Sequence, residues 1–169
     1  GLPPFLREAE GKHWAPPRIV AHRAVPARMD RYGETAGYNQ IVNSRQFGIP
    51  VQFPTEPIRP TELYDDAREL EVGGVPLRLE HARGETDDHT FVWLPHAKTL
   101  CTGDLFIWCA PNAGNPQKVQ RYAADWARAL RRMAALGAEL LLPGHGLPVA
   151  GATAVRAVLE DTAAYLEAL

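Results

Sequence analysis

Cysteine is nearly absent: Cys101 and Cys109 are the only two. Two thiols cannot build the disulfide framework of a small secreted scaffold, so a reducing compartment, the cytoplasm, is the expectation. Charge of one sign is also lacking. Lys and Arg number 18 against 20 Asp and Glu, a formal net charge of −2. That balance removes the electrostatic reason to expect nucleic acid or an anionic membrane surface as partner. No apolar run approaches the roughly 18 residues that a membrane span needs. A basic leader followed by an apolar stretch is missing as well, since the chain opens Gly1-Leu2-Pro3-Pro4-Phe5. What is present is globular: 46% of the 169 residues are apolar and 22% charged, enough for one domain over 1–169 and short for two.

Hydrophobic patterning predicts a short helix over 1–12 and a buried strand over 18–22 after Pro16-Pro17. A helix is expected from Val25 to Tyr32, stopped by Gly33. Residues 34–65 carry Tyr, Asn, Gln and Pro without a clean period and read as a long loop. From Glu69 the pattern sharpens. Leu70–Val72, Gly73-Gly74 and Val75–Leu79 form a hairpin signature, and Thr90–Leu94 with Thr99–Thr102 form a second. Val119, Tyr122, Trp126, Leu130 and Met133 mark an amphipathic helix from about Val119 to Leu136. A strand over Glu139–Leu142 and a helix over Thr153–Leu169 complete the chain. Strands in hairpins followed by helices favour an α+β layered sandwich over an alternating βαβ fold.

Three polar clusters fall at the ends of expected strands: His81 to His89, Thr102-Gly103-Asp104, and Pro143-Gly144-His145-Gly146. Strand ends at one sheet edge converge, so distant residues can meet there. Asp, Glu and His offer the oxygen and nitrogen donors that divalent transition metals accept, and flanking glycines let the backbone turn sharply. Taken singly, each cluster also fits a turn: Asp104 capping amides, an exposed imidazole at His145, a solvated acidic loop around Asp87. Trp93 and Trp126 read as core, Trp108 as core or, since it follows the Asp104 loop, as the wall of a substrate pocket, Cys101 as a small buried hydrophobe, and His13 and His96 as exposed.

The joint pattern is more specific. Gly84-Glu85-Thr86, Val92-Trp93-Leu94-Pro95, Leu100-Cys101-Thr102-Gly103-Asp104, Pro111-Asn112, Trp126 and Leu142-Pro143-Gly144-His145-Gly146 stand in order between Leu77 and Val149. This segment resembles the second half of the metallo-β-lactamase-fold hydrolases. The resemblance implies an αββα layered sandwich and two divalent transition metals, zinc being the expected one. It implies that Asp104 is the bridging carboxylate at the catalytic centre and that His145 ligates the second metal. Glu85 stands where most members carry histidine, and the alkylsulfatase-like branch also places glutamate there. His89, four residues on, is a competing donor. In that branch Asn112, Lys118 and Arg121 correspond to residues that hold an anionic head group, although Lys118 and Arg121 also fit an ordinary solvated helix.

The family's His-x-His-x-Asp-His motif is nowhere in the chain, so the resemblance implies a member without its first half and neither metal site complete. Two readings stay open. One is a metal-dependent hydrolase in which metal-activated water attacks an ester-type bond (sulfate ester, thioester, lactone or similar) of a small, anionic substrate. Under it these residues alone are inactive, and the chain associates as a homo-oligomer or pairs with a missing N-terminal segment. The other is a non-catalytic module that keeps the scaffold and binds a ligand or partner without turnover.

Overall fold

The computed structural model describes residues 2–52, 56–114 and 121–169. The single domain expected over 1–169 is organised as two compact units, Gly1–Tyr64 and Asp65–Leu169.

The first unit contains α1 (Pro3–Gly11), β1 (Val20–His22), α2 (Val25–Glu34), α3 (Ala36–Phe47) and β2 (Glu62–Tyr64). Pro3-Pro4 and Pro26 sit at the starts of α1 and α2, where a missing N–H costs nothing and the fixed φ suits a helix. β1 and β2 pair in parallel, with His22 opposite Tyr64 and their rings edge to face at 5.8 Å. α3 corrects the expectation of a long loop over 34–65. Its apolar residues form no stripe and only Ala36 is buried. Side-chain bonds brace it instead: Thr35 Oγ1 donates to Arg31 O at 2.9 Å and Asn43 Nδ2 to Asn39 O at 2.8 Å. Gly48 ends the helix in the left-handed conformation.

The second unit is one six-stranded sheet with two helices. Its elements are β3 (Ala67–Val72), β4 (Val75–His81), β5 (Thr90–Leu94), β6 (Thr99–Ile107), α4 (Ala123–Ala135), β7 (Leu140–His145), β8 (Val149–Ala150) and α5 (Ala152–Glu167). Strand order follows chain order, and every pairing is antiparallel except β6 with β7. Gly73 and Gly74 both take positive φ, as a tight two-residue hairpin turn demands, and so fix the β3–β4 register.

Trp93, Leu100 and Leu141 stand side by side on the sheet face toward the helices. α4 supplies Trp126, Ala127, Leu130 and Met133 to that core, and α5 supplies Val155, Leu159, Ala163 and Leu166. The opposite face carries a second apolar row, Leu79, Val92, Cys101 and Leu142, all half-buried. Burial pushes the Cys101 thiol above its ordinary pKa, which keeps it neutral and unreactive.

α4 begins at Ala123; residues 115–120, which hold Lys118 and the expected helix start at Val119, lie outside the described residues. Its first turn is anchored by charge. Arg83 donates to Asp125 Oδ2 at 2.6 Å, Arg128 pairs with the other oxygen, and Arg83 lies over the Tyr122 ring at 4.6 Å. Partial burial alone would raise the Asp125 carboxyl, but hydrogen bonds and positive charge from the two arginines outweigh it and hold the group below the usual carboxylate range. A depressed folded-state pKa adds stability above the unfolded value, and this is lost as pH falls through the folded one. Asp125→Asn is therefore expected to lower the thermal midpoint most near neutral pH. Wild-type and variant midpoints should converge below the ordinary carboxylate range in melts over a pH series. A gap that stays constant with pH would contradict the anchor.

Candidate active site

Two strands and one loop bring the chemistry together. The β6–β7 pairing is regular to Cys101↔Leu142, then steps to Gly103↔Pro143 and Ile107↔His145, so four residues on β6 pass two on β7. Asp104 lies inside this irregular stretch. The structure thus corrects its expected position: β6 does not end before Asp104 but runs on to Ile107. Such irregularities re-aim side chains, and they recur beside active sites. β7 likewise continues through Pro143 and Gly144 to His145.

Across this step His145 Nδ1 and Asp104 Oδ1 lie 2.6 Å apart. A carboxylate oxygen accepts, so Nδ1 is the donor, and in the neutral ring the lone pair is then at Nε2. A carboxylate that orients an imidazole this way frees the far nitrogen to ligate a metal or take a proton. Gly144 makes the approach possible, since a Cβ there would stand 2.4 Å from Asp104 Oδ1. The His145 side chain is 78% exposed and so open to an incoming ligand.

The loop between β4 and β5 supplies Glu85. Gly84 O accepts from Tyr122 N at 3.0 Å, which ties the loop to the start of α4. Arg121 Nη2 lies 2.6 Å from Glu85 Oε1, and its Nη1 donates to Asn112 O at 2.9 Å. The pair is largely shielded, Arg121 13% and Glu85 18% exposed, so it is not the solvated surface charge that a helix start would suggest. Asn112 meets Arg121 through its carbonyl, while its side chain accepts from Gly114 N at 3.1 Å and closes its own turn.

Glu85, Asp104, Asn112, Arg121 and His145 all line one cavity of about 430 Å³, walled by Ile107, Trp108 and Trp126. His89 is not among its lining residues. Its Nε2 lies 3.1 Å from Thr102 O and against Gly103. Trp126 is buried as expected; Trp108 is not core but 56% exposed at the cavity wall. Its place just after the Asp104 loop is the signal that keeps a pocket wall open as the alternative.

Asp104 offers a carboxylate oxygen, and His145 offers Nε2 on the side of its ring away from Asp104; each fits one position of a divalent shell. Glu85 faces the same cavity but is neutralised by Arg121. Among the described residues no group of three or more His, Cys, Asp or Glu stands where it could hold a metal ion. A structural zinc takes four protein ligands and a catalytic one three, so these residues fit part of a metal shell.

Residues 6–145 match the family model of the metallo-beta-lactamase superfamily. The chain belongs to that superfamily. Members are commonly metal-dependent hydrolases and generally bind divalent metals, often zinc. A linear primary-alkylsulfatase of Pseudomonas sp. is 26% identical over 116 residues, 64% of this chain and 22% of that protein. A beta-lactamase-like protein 2 homolog of Caenorhabditis elegans is 31% identical over 103 residues, 61% of this chain and 31% of that one. The chain thus spans less than a third of either relative's length. The metallo-beta-lactamase family protein TTHA1429 of Thermus thermophilus superposes with a TM-score of 0.65 at 27% identity, covering 89% of this chain and 53% of that one. The sec-alkyl sulfatase PisA1 double mutant superposes at 0.63 and 18% identity, covering 96% and 29%, and shares the fold. The metallo-β-lactamase fold and the alkylsulfatase-like branch expected from the motifs are both upheld. No helix among the described residues is long and apolar enough to cross a membrane.

Gly144→Ala is expected to drive Asp104 from His145 and cost about 1–3 kcal/mol, the usual range for overpacking, in urea unfolding. An unchanged midpoint would mean that the close approach does not constrain the site.

Proposed function

We propose that this chain belongs to a metal-dependent hydrolase that cuts an ester-type bond in a small, anionic substrate. The observation that carries the reading is the Asp104–His145 pair, opening on the same cavity as the Glu85–Arg121 pair. Asp104 is the proposed catalytic carboxylate; it and His145 would hold one metal and Glu85 the other, zinc being proposed for both. Divalent metals in such sites lower the pKa of water and polarise the bond being cut. Glu85 must turn from Arg121 or share its second oxygen to ligate. Arg121 keeps N–H donors beyond the two engaged with Glu85 and Asn112, and these would receive an oxyanion. Sulfate esters head the candidate substrates because of the alkylsulfatase similarity, with thioesters and lactones next.

We also propose that the remaining donors come from outside these 169 residues, from an N-terminal segment or a second copy, which would also cover the half-buried row Leu79, Val92, Cys101 and Leu142. On that view the chain alone binds metal weakly, because two adjacent donors cannot fill a shell. The second reading, a module that binds without turnover, is favoured by the lack of a three-donor group among the described residues.

Metal analysis and an ester panel, run on this chain and on a version extended upstream, separate the two. The hydrolase reading expects stoichiometric metal and turnover in the extended protein, and loss of both in Asp104→Asn. Arg121→Ala should weaken anionic substrates by about 1.5–3 kcal/mol and spare neutral esters. An extended protein with no metal and no turnover would establish the binding module instead.

A further inference from the structure

We propose that Trp108 is a positioning residue that holds His145 in register with Asp104. The proposal rests on the functional reading only in taking His145 as a functional side chain.

His145 needs holding. It is exposed, and it sits between Gly144 and Gly146, the two residues most costly to order. Its ring bonds Asp104, but a hydrogen bond to a side chain does not fix the backbone that carries the ring. The structure pins that backbone on both sides. Before His145, Gly144 lies against Asp104. After it, the Trp108 indole Nε1–H donates to Leu147 O at 2.6 Å. The ring also occupies the space where a side chain at Gly146 would be, with Cδ1 2.2 Å from a Cβ built there. Gly146 has φ +100°, a conformation that other residues resist, so this packing and this backbone require each other.

Trp108 is itself well placed to act as the fixed point. It directly follows Ile107, which pairs with His145 across β6 and β7. Phe106 meets the indole edge to face at 5.8 Å between ring centres. Burial does not explain the tryptophan: it is 56% exposed, against 59% for Trp14. An indole spends its N–H on a carbonyl two residues beyond the imidazole, and what that bond restrains is the loop.

The test uses isotope-labelled full chain at one alkaline pH and needs neither metal nor turnover. In the wild type, the Trp108 indole N–H should exchange about tenfold more slowly than that of Trp14, the protection a hydrogen bond of ordinary strength gives. Long-range proton–nitrogen spectra should show His145 as a single Nδ1–H tautomer. Trp108→Phe keeps a ring and loses the N–H. It should leave the thermal midpoint nearly unchanged while the His145 ring nitrogens move toward those of exposed His13 and His96. Gly146→Ala, which displaces the indole from the other side, should release the His145 ring in the same way, with a lowered midpoint because alanine resists φ +100°, and stands in if Trp108→Phe fails to fold. A folded variant of either kind that keeps the single His145 tautomer overturns the proposal, as does an indole N–H at Trp108 that exchanges as fast as that of Trp14. An upstream-extended protein with no metal and no turnover that still shows these signatures would refute the hydrolase reading and leave the positioning role in place.

Discussion

The indole of Trp126 sets the frame for the site. It is fully buried, it donates to Leu105 O at 2.8 Å, and its ring leaves no room for a side chain at Gly84. One side chain on α4 thus references both the strand that carries Asp104 and the loop that carries Glu85. Truncating a buried aromatic of this size costs about 3–5 kcal/mol, a large share of the roughly 5–15 kcal/mol that holds a domain together. The carbonyl of Leu105 would lose its partner in the same step, inside the irregular part of β6 where the ladder leaves groups unpaired. Loop, helix and strand are coupled there through a single ring.

Around that frame the cavity holds two carboxylates in different electrostatic settings. Asp104 faces an imidazole and open solvent; Glu85 faces a shielded guanidinium. The first is free to exchange partners at little cost, because water can replace what leaves. The second is not, since separating a shielded pair leaves a charge without compensation. A cation entering the cavity therefore meets Asp104 more readily than Glu85. An anion meets an Arg121 whose charge is already half spent.

Much of this was legible in the residues. Gly73-Gly74 fixed one hairpin because both positions need positive φ, and the three- and four-residue recurrence of Trp126, Leu130 and Met133 marked α4 because it is buried on one side. The clusters around Glu85, Asp104 and His145 stood out by strand-end placement beside glycines, the family resemblance singled out these three within them, and they line one cavity. α3 escaped because Tyr38, Asn39, Ile41 and Asn43 follow no stripe; its bracing runs through side-chain amides and hydroxyls that periodicity does not register. The course of β6 through Asp104 was hidden because the strand is irregular there, and an irregular ladder has no alternation to read. For Trp108 core was favoured over a pocket wall, and the wall is what the structure shows, with its N–H spent on Leu147 O. The pairing of Arg121 with Glu85 spans sequence that no local pattern connects.

The β6–β7 pairing is parallel, so the chain must travel out through α4 and back before the two strands can meet. Asp104 and His145 are 41 residues apart in sequence yet share a hydrogen bond. The hairpins β3–β4 and β5–β6 close over a few residues and need no such journey. Closing a long loop costs entropy that only the finished contact repays, which makes non-local pairing the slow part of folding. The Asp104–His145 pair accordingly depends on that non-local pairing: a chain that has formed only its hairpins and its helices lacks the pair until β7 docks. A ligand that grips both side chains would then act as a latch on that docking step, and the half-folded chain would be blind to it.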